Sequence, residues 1–271
     1  MQNFRKKEIR IKADSFREKC KVSRYGIINL FKECERCGYK LLRYPVGEDG
    51  NLGFVLKRDD DIIVFTNSSA RLSRETFTLA HEIGHIILHF SEMTSFVDDS
   101  ITINGRSTNE KEQEANYFAA CLMMPEDEIS KFLDLELEDF NTHGLNAMDI
   151  ARIMSEFNVS FDMALNRLQS VGAINEEEKI CLDNEKTELR VGNLLKSVGG
   201  NPRLNLSSNE IHIPHEYIDY VIYNYNHNVI PIETLEKVLK CYELSVEDIS
   251  DRLVDMTNDE EDNLDDLIGG L

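Results

Sequence analysis

His81, Glu82 and His85 stand in the spacing His-Glu-x-x-His, within the apolar run Thr76-Phe-Thr-Leu-Ala-His-Glu-Ile-Gly-His-Ile-Ile-Leu-His89. On an α-helix, residues four apart share a face, one turn from each other. The two imidazoles can therefore offer nitrogens to one metal ion. Glu82 is rotated off that pair, yet close enough to act on a water held at the same place. Zinc with a glutamate as general base is the chemistry this layout serves, and peptide-bond hydrolysis is its usual outcome. Two surface histidines on an ordinary helix are the plain alternative. Phe77, Leu79, Ala80, Ile83, Ile86, Ile87 and Leu88 argue against it, because they make the helix apolar on most faces and call for burial. Buried histidines and a buried glutamate need partners. Gly84 costs roughly 1 kcal/mol relative to Ala inside a helix, so its presence predicts that something approaches the backbone there.

A catalytic zinc takes three protein ligands and keeps one position open. The second informative stretch is Glu112-Gln-Glu-Ala-Asn-Tyr-Phe-Ala-Ala-Cys-Leu-Met-Met-Pro125. Glu112 and Asn116 are four apart and share a helical face. Glu112 suits a ligand, and Asn116 suits an acceptor for the other ring N–H of a ligand histidine, which fixes its tautomer. Glu114 competes for the ligand role, although it points about 160° away from Asn116 around the helix. Both glutamates could equally be solvated helix charges. His89 continues the histidine stripe one turn further and reads as a surface histidine. A donor to the developing oxyanion is also needed, and Tyr117, His89 and His143 are the candidates.

Arg74-Glu-Thr-Phe-Thr-Leu-Ala-His-Glu-Ile-Gly-His85, the Glu112–Pro125 stretch and Phe157-Asn-Val-Ser-Phe-Asp-Met-Ala-Leu-Asn-Arg-Leu168 together resemble the ImmA/IrrE family of metallopeptidases. The likeness covers roughly residues 20–172. Met123-Met124 departs conservatively from the Leu-Met commoner in that family. The resemblance implies a zincin-like fold of the gluzincin kind, with Glu112 as third zinc ligand. It also implies a protein substrate: a helix-turn-helix repressor of the Xre/Cro type, cleaved to derepress genes of a mobile element, prophage, toxin–antitoxin or stress locus.

The elements expected to position these residues belong to an α+β fold. Tyr39–Pro45, Leu52–Lys57 and Asp61–Thr66 read as strands of a small, mainly antiparallel sheet ahead of the metal helix, with Phe54–Lys57 as an edge open to extended substrate. Ser91–Asn109 reads as a long loop, followed by a helix from Glu110 that Pro125 stops. Asp149–Leu168 has helix-turn-helix spacing, and a related pattern recurs 85 residues later at Thr234–Leu253. The expected organisation is a basic arm (1–22), a peptidase domain (23–175) with its helix-turn-helix-like unit at 146–172, a helical C-terminal domain (176–256) and an acidic tail (257–271). Gly199-Gly-Asn-Pro202 marks a plausible break.

At 271 residues, with 41% hydrophobic and 30% charged residues, the chain can bury a full core. It carries no signal-peptide pattern at its start and no run of about 18 apolar residues, so a cytoplasmic place is expected and membranes are not partners. Six dispersed cysteines then read as free thiols, and Cys34-Glu-Arg-Cys37 lacks a second pair to complete a metal site. The net charge of −20 opposes direct nucleic-acid binding. Residues 1–43, with thirteen Lys/Arg against five Asp/Glu, run the other way. An acidic body would instead attract a basic protein. Two further readings stand beside the peptidase: an antirepressor that sequesters its partner without cutting it, and a DNA-binding regulator built on the helix-turn-helix units.

Overall fold

The computed structural model describes residues 1–58, 61–90, 95–98, 109–137 and 144–254. They form two compact units, Met1–His212 and the remainder from Ile213.

The first unit has an α+β architecture. Helices α1 (Asn3–Arg17) and α2 (Leu30–Arg36) come first, then strands β1 (Lys40–Tyr44), β2 (Gly53–Arg58) and β3 (Asp61–Asn67). Helix α3 (Leu72–His89), strand β4 (Ser95–Asp98), α4 (Glu110–Met123) and α5 (Glu126–Glu136) follow. The strand order is β1-β3-β2-β4. The sheet is mainly antiparallel, as expected, with one parallel pair. β1 runs parallel to β3 with Leu41 beside Val64, while β2 is antiparallel to both β3 and β4. The parallel pair arises because β1 reaches β3 by way of β2. β4 falls in the segment expected to be a loop, and it pairs with β2, so Phe54–Lys57 is an inner strand and not the open edge.

The core gathers under α3. Leu79, Ala80 and Ile83 are fully buried against Val55 and Val64 of the sheet and Phe118 and Leu122 of α4, within one apolar cluster. Gly84 permits this packing. A Cβ there would meet the Ala115 backbone and the Phe118 ring at 3.2 Å, so α4 crosses where the chain has no side chain. The expected basic arm is helix α1, a packed element of this unit. Ile9, Ala13 and Phe16 enter the core and Arg17 donates to the carbonyls of Leu122 and Tyr25. The amphipathic spacing of those apolar residues was masked by the surrounding lysines and arginines.

Helices α6 (Ala147–Phe157) and α7 (Phe161–Ser170) form the predicted helix-turn-helix-like pair. An Asn146–Asp149 capping box starts α6, left-handed Asn158 ends it, and Ser160 caps α7. Its basic residues are committed elsewhere: Arg167 is buried and donates to the Met124 carbonyl at 2.9 Å, and Arg152 pairs with Asp149. Helices α8 (Glu176–Leu189) and α9 (Val191–Ser197) belong to this unit too, since Leu182, Leu194 and Leu195 enter its core. The domain break expected at 175, and the Gly199–Pro202 break, therefore move to His212.

The second unit contains α10 (His215–Asn226), α11 (Ile232–Cys241) and a 3-10 turn at Glu247–Arg252. Val221, Ile222, Leu235, Leu239 and Ile249 are its core. The internal pattern is real as far as the turn: Glu243 adopts φ 58°, as Asn158 does at φ 56° 85 residues earlier. Its second element is a 3-10 turn, and Arg252 pairs with Asp219 at the surface where Arg167 is buried. The acidic tail lies outside the described residues, as does most of the segment 91–109.

Candidate metal centre

Helix α3 brings His81 and His85 onto one face, and α4 crosses it with Glu112. All three side chains are buried. His81 Nε2 and His85 Nε2 lie 3.0 Å apart, Glu112 Oε2 is 3.2 Å from His81 Nε2, and Glu112 Oε1 is 3.4 Å from His85 Nε2. Among the described residues this is the group of His, Cys, Asp and Glu whose ligand atoms could hold one metal ion. A tetrahedral zinc site with arms of 2.0–2.1 Å has ligand–ligand edges of about 3.3 Å, so the spacing fits.

The outer ring atoms decide which nitrogens face the centre. His81 Nδ1–H donates to Asn116 Oδ1 at 3.0 Å, so the Nε2 lone pair faces the centre. His89 Nε2–H donates to Glu114 Oε2 at 3.1 Å, and His85 Nδ1–H donates to His89 Nδ1 at 3.1 Å. Two imidazole lone pairs and a carboxylate then converge on one buried point. Glu112 Oε2 sits there without accepting a hydrogen bond, as expected when the nearby nitrogen carries no proton. Such a convergence is repulsive unless a cation fills it. Burial raises the Glu112 carboxyl, and hydrogen bonds from His81 and His85, available only while their facing nitrogens carry protons, pull it further down.

Glu82, also buried, has its carboxylate beside β2. A Cβ on Gly53 of β2 would stand 2.5 Å from Glu82 Oε1 and from Thr78 Cγ2. Glycine at 53 therefore makes the space that the Glu82 carboxylate occupies. A groove of about 1080 Å³ leads along α3 from Arg71, Arg74 and Phe77 to Gln113, Asn116 and Tyr117 of α4.

Two residues have roles that sequence reading did not assign. His89 is not a surface histidine. It is 3% exposed and touches His85; burial lowers its pKa against the opposing pull of Glu114. Glu114 is not a ligand, being held by His89 and by Arg5. The spacing of His89, four beyond His85, was the available signal. Tyr117 lines the groove, whereas His143 lies outside the described residues.

Residues 34–169 match the model of the peptidase family described as the IrrE N-terminal-like domain. The chain belongs to this family. A stretch of 73 residues is 38% identical to the radiation response metalloprotease IrrE of Deinococcus radiodurans, covering 27% of this chain and 22% of that relative. The IrrE-like family implies a metal, and among the described residues the His81–His85–Glu112 cluster could bind one. No helix among the described residues is long and apolar enough to cross a membrane.

Proposed function

We propose that the chain is a zincin-like zinc endopeptidase acting on a helix-turn-helix repressor. The observation that carries the catalytic part is the meeting of three ligand atoms within 3.0–3.4 Å on the helix that also bears Glu82. The nitrogen and oxygen donor set suits zinc, which when bound polarises a scissile carbonyl and acidifies the attacking water. His81, His85 and Glu112 are the ligands, and Asn116 orients His81. Glu82 takes the proton from the attacking water and returns it to the leaving amine. Its carboxylate is buried against Gly53, so it meets little competing solvent. The groove bordered by Arg71, Arg74 and Phe77 of α3 and Gln113, Asn116 and Tyr117 of α4 is the place we assign to the polypeptide. The substrate class rests on the family resemblance and on charge, since a chain of net −20 attracts a basic DNA-binding protein.

The test is incubation of the zinc-loaded protein with a helix-turn-helix repressor encoded beside it. Two repressor fragments are expected from the wild type. Glu82→Gln should bind zinc and lower cleavage by roughly 10²–10⁴-fold. Equal release of intact repressor from its operator by both proteins would instead favour the non-cleaving antirepressor.

A further inference from the structure

The carboxylate and the arginine beyond His89 have no part in the chemistry above, yet they are arranged in line with a ligand. We propose that Arg5, Glu114 and His89 form a positioning chain that holds His85 in its metal-binding tautomer, so that α1 completes the metal centre. The proposal rests on the zinc reading of His81, His85 and Glu112.

The chain starts at the protein surface and ends at the ligand. Arg5 Nε and Nη2 donate to the two oxygens of Glu114 at 2.7 and 2.5 Å. This bidentate geometry fixes the plane of the carboxylate. Glu114 Oε2 then accepts from His89 Nε2–H at 3.1 Å. A carboxylate can only accept, so His89 carries a proton on Nε2, and as a neutral imidazole it presents a lone pair at Nδ1. That lone pair is 3.1 Å from His85 Nδ1, which must therefore carry the proton. His85 Nε2 is left unprotonated and aimed at His81 and Glu112. Each link thus dictates the next, and a ligand imidazole whose outer N–H is fixed in this way binds metal more strongly.

The two ligand histidines are consequently supported by different means. His81 leans on Asn116, one residue of α4, inside the region matched by the family model. His85 leans on a longer chain whose outer member, Arg5, lies before the matched residues 34–169. Helix α1 packs on α4 through buried Ile9, Ala13 and Phe16, which holds Arg5 in reach of Glu114. Among the described residues, Glu114 is held by Arg5 at both oxygens and by His89.

Two measurements on the full-length protein test this. Two-bond proton–nitrogen NMR of the metal-free protein should show His85 protonated at Nδ1 and His89 at Nε2. Zinc affinity, read by competition with a chromophoric chelator, should weaken roughly 10–100-fold in His89→Phe, with His85 no longer confined to one tautomer. His89→Gln keeps an acceptor for His85 and should recover most of the affinity. Arg5→Met removes a partly exposed side chain and leaves the core intact; it should weaken zinc binding several-fold even if His89→Phe does not fold. Wild-type zinc affinity in Arg5→Met, and in His89→Phe where it folds, would overturn the proposal. A wild-type His85 protonated at Nε2 would do the same. A wild type that binds no zinc would take down the metal reading, while the tautomer measurement still decides the positioning chain by itself.

Discussion

Helix α3 carries two buried clusters of charged side chains, built in opposite ways. Around Glu75, near its start, the accounts close. Oε1 receives Arg43 Nε at 2.8 Å and Thr66 Oγ1 at 3.0 Å, while Oε2 receives Arg43 Nη2 at 2.9 Å and Ser208 Oγ at 3.2 Å. Arg43 in turn pairs with Glu210 at 2.6 Å and stacks over the Phe31 ring. Donors and acceptors balance, so nothing further is required. Around His81 and His85, two turns on, three acceptors converge with their donors already pointed outward. Burial of charge is common to both clusters and does not distinguish them. The donor count does: one cluster is complete as protein, and the other calls for a cation.

Three substitutions sharpen this contrast. The largest effect is expected from Arg43→Met, which leaves Glu75 buried without its main partner. Stability should fall by about 3–5 kcal/mol, measured by urea unfolding, while zinc stoichiometry of the folded fraction stays unchanged. A loss of metal with unaltered stability would erase the distinction between the clusters. Next comes Gly53→Ala, which drives a methyl group to within 2.5 Å of Glu82 Oε1. Displacing the base should lower turnover by up to about 10²-fold with zinc affinity retained; steady-state kinetics beside a metal titration would show whether the two separate. The smallest is Asn116→Ala, where loss of the acceptor for His81 Nδ1–H should weaken zinc by roughly tenfold or somewhat more. An unchanged affinity would mean that the outer hydrogen bond does not set the orientation of His81.

The helix of His81 and His85 was legible because its signal is local. His81, Glu82, His85, Glu112 and Asn116 sit at helical spacings that can be read without knowing the fold, and Gly84 marked a close approach without saying what approaches. What was hidden depends on tertiary neighbours. Glu114 is indistinguishable from a solvated helix charge until Arg5 of α1 is placed beside it. His89 looks like a surface residue until its burial is known. β4 lay concealed in polar sequence, and the parallel pairing of β1 with β3 depends on strand order, which alternation alone does not report. Leu182, Leu194 and Leu195 tie α8 and α9 into the first unit, although the polar residues around them suggested a linker.

The most direct test of the central claim is the zinc content of the purified protein beside Glu112→Ala and Glu75→Gln. One zinc per chain in the wild type and in folded Glu75→Gln, with loss in a folded Glu112→Ala, is the predicted result. Zinc absent from the wild type after loading at neutral pH, or retained in full by Glu112→Ala, would contradict the assignment of the metal centre.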